Sequence, residues 1–504
     1  MKTVTTFPPP LRPSAVTVTL RRLLQVFLLL LALPSLAGNW RPEAIAQLQY
    51  APHDYVSEAA PPPPPPPPPP ANGVTSDATG QLQTAPAPGT PSGNGNPFFA
   101  NLGTNGRTCN TCHQIQDAWS VNAADVQSRF NSSSGNDPIF RPVDGATCSN
   151  DNVSTLAAKQ SAYTLLLSRG LIRIGLPIPS DTQFAVTINS DTYGCNSNPS
   201  TGLTSSTTGT MSMYRRPLPA ANLDFLSGIM WDGREPSLSQ QAIDATLGHA
   251  QATTAPTSAE VSSIVAFESG QFTGQITDDA AGSLTADGAT GGATTLVNKR
   301  TSFFIGINDP FGANPTKAPF NPNVFDLYKS WSNGTAAQQS VARGENLFNT
   351  RPINIAGVGG LNDALGQQTI KGSCSTCHDV PDVGNMSVDR FMDTGVADAG
   401  AGPQPPPPLN LAGLPVFTLK CFSGSLTGKS FTVTDPGHAL VTGQCSDIGH
   451  VKVPVLRGLA GRAPYFHNGS AASIANVVDF YNGRFKLNLS SQERQDLINF
   501  LQTL

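Results

Sequence analysis

Two pentads constrain this chain more than anything else in it: Cys109-Asn110-Thr111-Cys112-His113 and Cys374-Ser375-Thr376-Cys377-His378. In each, two thiols separated by two residues are followed at once by an imidazole. One short turn can then present both sulfurs to the vinyl groups of a haem, while the histidine supplies the proximal iron ligand. A single pentad could be half of a zinc site. Two of them read as two covalently bound haem c groups, with His113 and His378 as the iron ligands.

The chain has 504 residues, enough for two domains with a large core. Its N-terminus reads as an export signal. Arg21 and Arg22 precede an apolar run from Leu23 to Leu36, shorter than the ~20 residues of a membrane span. Ala44-Ile45-Ala46 before Gln47 is a cleavage site, with Ala37 as another; an uncleaved anchor is the alternative. Either way the folded part is expected outside the cytoplasm, in a bacterium the periplasm, where c-type haem is attached. Cys148, Cys195, Cys421 and Cys445 suit that oxidising compartment. They allow three pairings; Cys148–Cys195 and Cys421–Cys445 are favoured because each stays within one proposed domain. Acidic and basic residues nearly balance, 34 against 30, and no basic run offers a grip on a phosphate backbone, so no nucleic-acid partner is expected.

Four segments follow. Residues 1–46 are the signal. Residues 47–96, with the unbroken Pro61–Pro70 run, are a Pro/Gly/Ser-rich linker; polyproline lacks amide donors and makes an extended spacer. Residues 97–335 are the N-terminal haem domain and 336–504 the C-terminal one. The fold class expected is mainly α: two cytochrome c-like domains with long irregular loops. Helical periodicity returns at Ala336–Gly344. Two further helices are expected, Ser473 to Tyr481 and one opening at Ser490, where Glu493 completes a capping box. Leu497, Ile498 and Leu501 then share one apolar face.

What each haem does depends on its sixth coordination position: methionine or histidine favours electron transfer, and an open position favours chemistry with peroxide or oxygen. No histidine lies between His113 and His249, so the first haem is expected to be open or water-bound. His53 falls in the linker, and His438 and His450 read as ordinary surface or core histidines.

Trp231-Asp232-Gly233-Arg234 followed by Gln241-Ala242, then Val453-Pro454-Val455-Leu456-Arg457 leading into Ala463-Pro464-Tyr465-Phe466-His467-Asn468-Gly469, give an order and spacing around the two pentads that resembles the bacterial di-haem cytochrome c peroxidase superfamily. That superfamily includes MauG and is related to di-haem rubber oxygenases; the resemblance covers roughly Pro97 to Leu504. It implies that the N-terminal haem reacts with peroxide and the C-terminal haem stores or relays an electron. Trp231 matches the family's inter-haem tryptophan, the alternative being a core aromatic. His467 matches a histidine near the C-terminal haem. The family's methionine ligand to that haem falls on Tyr481 here, as in MauG. Ile474, Val477, Val478 and Tyr481 are spaced to share a helical face. A phenolate would favour the oxidised iron; otherwise Tyr481 is a packing residue and Met386 or Met392 is the ligand.

The departures from the family pattern carry their own expectations. The histidine that caps the first haem in many peroxidases is replaced near Arg129, so no reductive activation is expected. The family's distal glutamate falls on Gln251, which can hydrogen-bond peroxide but cannot shuttle a proton at neutral pH. His249 is the substitute, or else a buried structural histidine. The family's calcium positions match Arg215 or Arg216 and Arg462. Arginine cannot ligate calcium, but its charge could replace the ion, for example by pairing with a haem propionate. The resulting expectation is a periplasmic di-haem peroxidase of the MauG-like branch. Its distal set is Trp231, Gln241, His249 and Gln251. It would take hydrogen peroxide, and electrons from a small cytochrome c, a cupredoxin or a protein substrate. A di-haem oxygenase for a hydrophobic substrate and a non-catalytic electron-transfer cytochrome are the alternatives.

Overall fold

The computed structural model describes residues 73–399 and 409–504. All belong to one of two units into which the chain divides, Ser57–Leu504. The signal, the polyproline run and His53 lie outside the described residues. Among the described residues no helix is long and apolar enough to cross a membrane.

The expectation of a mainly α fold is corrected. Helices make up 30% of the structure and strands 17%, in several small sheets. The reason is visible in segments such as Phe184-Ala-Val-Thr-Ile-Asn-Ser and Val416-Phe-Thr-Leu-Lys-Cys421, which alternate apolar and polar residues and are rich in β-branched side chains. These two strands, β2 (Phe184–Ser190) and β4 (Val416–Cys421), pair antiparallel with Phe184 opposite Cys421. The strand Ser430–Val433 flanks β4 on its other side. The pairing joins sequence before the second pentad to sequence after it. Disulfides Cys421–Cys445 and Cys148–Cys195 are both present, the pairing favoured from sequence.

Residues 73–96, expected as the end of the linker, are also corrected. Strand β1 (Gly80–Pro86) pairs with the short strand Val74–Ser76 on one side and with β3 (Gln271–Asp278) on the other. Leu82 is fully buried, and the Thr84 hydroxyl accepts the Trp119 indole N–H at 2.9 Å. The composition of this stretch signalled a spacer, but alternate residues of β1 find a hydrophobic face to cover.

The helices begin where their caps predict. α1 (Ala123–Ser133) is capped by Asn122, α2 (Leu238–Gly248) by Ser237 and α3 (Ser258–Ser269) by the Thr257/Glu260 capping box. α4 (Ala336–Thr350) has the Thr335/Gln338 box, α5 (Ile474–Arg484) the Ser473 cap, and α6 (Ser491–Gln502) the Ser490/Glu493 box. α4 and α6 approach closely at Gly344, where an added Cβ would stand 2.0 Å from the Asp496 carbonyl. Their apolar faces meet Phe325, Tyr328 and Trp331 in one core, which includes Leu497, Ile498 and Leu501. That core carries Ile474 and Val478 of α5, and so fixes the face α5 turns toward the second pentad.

Candidate haem and peroxide site

Each pentad opens with a single turn of 3-10 helix stapled in the same way. The Thr108 amide donates to the Thr111 hydroxyl at 3.0 Å, and the Ser373 amide to the Thr376 hydroxyl at 2.9 Å. Neither turn forms a disulfide; the four thiols are left for haem. His113 Nδ1 donates to the Trp119 carbonyl at 2.9 Å and His378 Nδ1 to the Gly384 carbonyl at 2.5 Å. A carbonyl can only accept, so each ring keeps its proton on Nδ1 and presents the Nε2 lone pair, the form that ligates iron. Burial lowers the pKa of both imidazoles, that of His378 to about 4. Ala118 and Trp119 hold left-handed backbone, φ 52° and 58°, at a cost of roughly 1–3 kcal/mol each. The Thr84 hydrogen bond and burial of the indole hold this kink, which aims the Trp119 carbonyl at His113.

His113 and His378 face separate cavities. The second is walled mostly by apolar side chains, with Cys374, Cys377 and His378 at one side and Ile474, Val477, Val478 and Tyr481 of α5 among its lining. The four α5 residues thus share the face their spacing implied. Burial raises the Tyr481 hydroxyl above its ordinary pKa. Met392 lines the same cavity, whereas Met386 is packed in the core beside it. His467 also lines it. This residue is 1% exposed, and among the described residues neither ring nitrogen has a hydrogen-bond partner, an uncommon state for a buried polar side chain. Arg216 and Arg462 line the same wall and donate to backbone carbonyls. An apolar slot, paired thiols, a neutral imidazole, an orphan histidine and buried guanidiniums fit a haem and its propionates.

The first cavity consists of two pockets that share His113, Gln241, Ala245, His249 and Glu268, with α2 as their common roof; Cys109 and Cys112 line one of them and Trp231 the other. His249 is the residue after α2. Its Nδ1 donates to Asp144 Oδ2 at 2.5 Å, and Asp144 Oδ1 accepts from Arg107 at 2.5 Å. Burial alone would raise the Asp144 carboxyl, but Arg107 and His249 overrule it and hold it at about 2. Arg107 is itself fixed by the Pro138 and Ile139 carbonyls. Asp144 and Arg107 carry no motif. They belong to the site only because folding brings residue 144 to residue 249.

Gln251 is the site residue the structure separates from the rest. It has left-handed backbone, φ 54°, just beyond the end of α2. It takes part in no wall of either cavity, and its carbonyl accepts from the Thr104 hydroxyl. The chain turns away there before the side chain can reach the haem space. Arg129, near the place of the family's capping histidine, is tied to Asp137 and to the Thr111 carbonyl.

Trp231 lines both cavities, together with Arg216 and Lys452. Its indole N–H donates to the Arg216 carbonyl at 2.7 Å, and its ring lies 6.1 Å from that of His467. Next to it, Asp232 belongs to a buried charge network. Arg215 spans Asp232 at 2.5 Å and Asp435 at 2.7 and 2.9 Å, and Arg234 adds a second contact to Asp232 at 2.9 Å. The suggestion that Arg215 pairs with a propionate is therefore corrected: its donors are used by two protein carboxylates, and its charge sits between them. Among the described residues no group of three or more His, Cys, Asp or Glu side chains is placed to hold a metal ion. His438 donates to the Asp232 carbonyl and stacks on Phe391, and His450 is buried.

No family model matches the chain. It is similar to the cytochrome c peroxidase IdrP2 of Denitromonas iodatirespirans, 33% identical over 144 residues, which span 27% of this chain and 37% of that protein. It is also similar to the cytochrome c peroxidase IdrP1 of Pseudomonas sp. (strain SCT), 41% identical over 81 residues, 14% of this chain and 21% of that protein. The match thus spans well under half the length of these curated relatives. Among solved structures, a MauG-like protein associated with microbial copper homeostasis aligns over 81% of this chain and 87% of its own, at 16% identity and a TM-score of 0.33.

Proposed function

We propose that the chain is a member of the di-haem cytochrome c peroxidase and MauG family and that it reduces hydrogen peroxide at the cavity in front of His113, with the cavity in front of His378 as the point of electron exchange. Haem on Cys109, Cys112 and His113 would supply the iron that activates peroxide, and haem on Cys374, Cys377 and His378 the electron reservoir. The observation that carries the reading is Trp231, whose side chain is a wall of both cavities; an oxidisable indole there shortens the path between them.

The remaining roles belong to the chain. Gln241 offers an amide to orient peroxide. Asp144, anchored by Arg107, keeps the His249 proton on Nδ1 and leaves Nε2 free to take a proton from an incoming peroxide. Tyr481 lines the second cavity, where a phenolate would favour the oxidised iron. Export to the periplasm and a small cytochrome c or cupredoxin as reductant complete the proposal. The mostly apolar wall of the second cavity suits the haem macrocycle itself and so does not favour an oxygenase.

The test is rapid mixing of the haem-loaded, all-ferric protein with peroxide. Spectral change without prior reduction is expected. His249→Gln should slow it by about 10²–10⁴-fold, the usual share of a proton-transferring group. An inert wild-type protein would refute the reading.

A further inference from the structure

The first cavity holds a carboxyl with no role so far. Glu268 is the penultimate residue of α3. It lines the cavity with His113, Gln241 and His249. The residue is 5% exposed, and its Oε1 has no hydrogen-bond partner. Among the described residues no ion pair reaches it. A lone ionised carboxylate in such a place is costly, and the neutral acid is the stable form. The C-terminal end of α3 adds to this, because the helix dipole is negative there. Burial raises the Glu268 carboxyl to about 8.

The family places its acid at the position of Gln251, which the fold turns out of the cavity. The cavity nonetheless contains a carboxyl, delivered by the following helix. It also contains a histidine in the opposite setting: His249 is bonded to an anionic carboxylate, whereas no hydrogen bond to Glu268 Oε1 and no ion pair to its carboxyl is found among the described residues. Two titratable groups whose surroundings differ in this way divide naturally into a base and an acid.

We propose that Glu268 is the acid that protonates the oxygen leaving as water when the O–O bond of peroxide breaks, while His249 takes the proton that peroxide loses on binding. The proposal rests on the peroxide reading above. Overall, hydrogen peroxide, two protons and two electrons give two waters. The electrons come from a small one-electron redox protein, and Glu268 is reprotonated from solvent.

The experiment compares haem-loaded wild type, Glu268→Gln and Glu268→Asp. Infrared difference spectra at neutral pH should show a neutral carboxylic acid in the wild type that disappears in Glu268→Gln. Haem content and ferric EPR spectra should match among the three. Single-turnover reaction with peroxide should slow by about 10²–10⁴-fold in Glu268→Gln and recover in part in Glu268→Asp. A Glu268→Gln protein that reacts at the wild-type rate, or whose carboxylic-acid bands are identical to those of the wild type, overturns the proposal. A wild type that has the band but ignores peroxide overturns the role through the peroxide reading, and leaves Glu268 as a buried neutral acid only.

Discussion

Replacing Arg215 with methionine tests the charge network beside Trp231. The Arg215 side chain is 1% exposed, and its two carboxylate partners are as deeply buried. Their losses differ. Asp232 keeps Arg234 at 2.9 Å. Among the described residues Asp435 keeps only the Gly437 amide at 2.8 Å and, at 3.6 Å, His467 Nε2, which is too far for a hydrogen bond. The variant therefore strands essentially one buried carboxylate, which costs about 3–5 kcal/mol. In urea, at a slope of roughly 3 kcal/mol/M, the unfolding midpoint of the loaded protein should fall by about 1 M or more with the slope unchanged. Asp435→Asn added to Arg215→Met should recover a large part of that loss, because it removes the stranded charge and leaves the Gly437 hydrogen bond possible. A cost below about 1 kcal/mol for the single variant, or no recovery in the double, would refute the account of Arg215 as the counter-charge that this site requires.

Two further outcomes follow from the geometry. Tyr481→Phe should change the optical and EPR spectra of the haem on His378, and unchanged spectra would remove Tyr481 from its coordination sphere. Asp144 is held at about 2 by Arg107 and His249 against the effect of burial, below the ~4 of an unfolded aspartate. Its contribution, about 2–3 kcal/mol, is complete above pH ~4 and is lost as pH falls through about 2. Acid unfolding of Asp144→Asn should therefore be shallower than wild type across that interval, and parallel curves would show that the Asp144 charge does not stabilise the fold.

The parts of this protein that are legible in its sequence are those encoded within a few residues. The pentads state their own chemistry. Ser473, Ser490 with Glu493, and Thr335 at the head of the Ala336 helix mark helix starts, because a cap acts on amides two or three residues away. The face shared by Ile474, Val477, Val478 and Tyr481 follows from helical pitch alone. The tertiary structure decided everything that depends on distant residues meeting. β1 has the composition of a spacer and becomes a strand only because β3 and the core lie beside it. β2 and β4 alternate visibly, but need each other to pair. Gln251 has the family's place in sequence and loses it to one left-handed residue beyond α2. Asp144 reaches His249 across 105 residues, and Glu268 enters the cavity from a helix with no motif. Local codes fix where the paired thiols and their histidines stand and where helices begin; which acid, base and counter-charge line each cavity is a matter of long-range packing, and only the fold determines it.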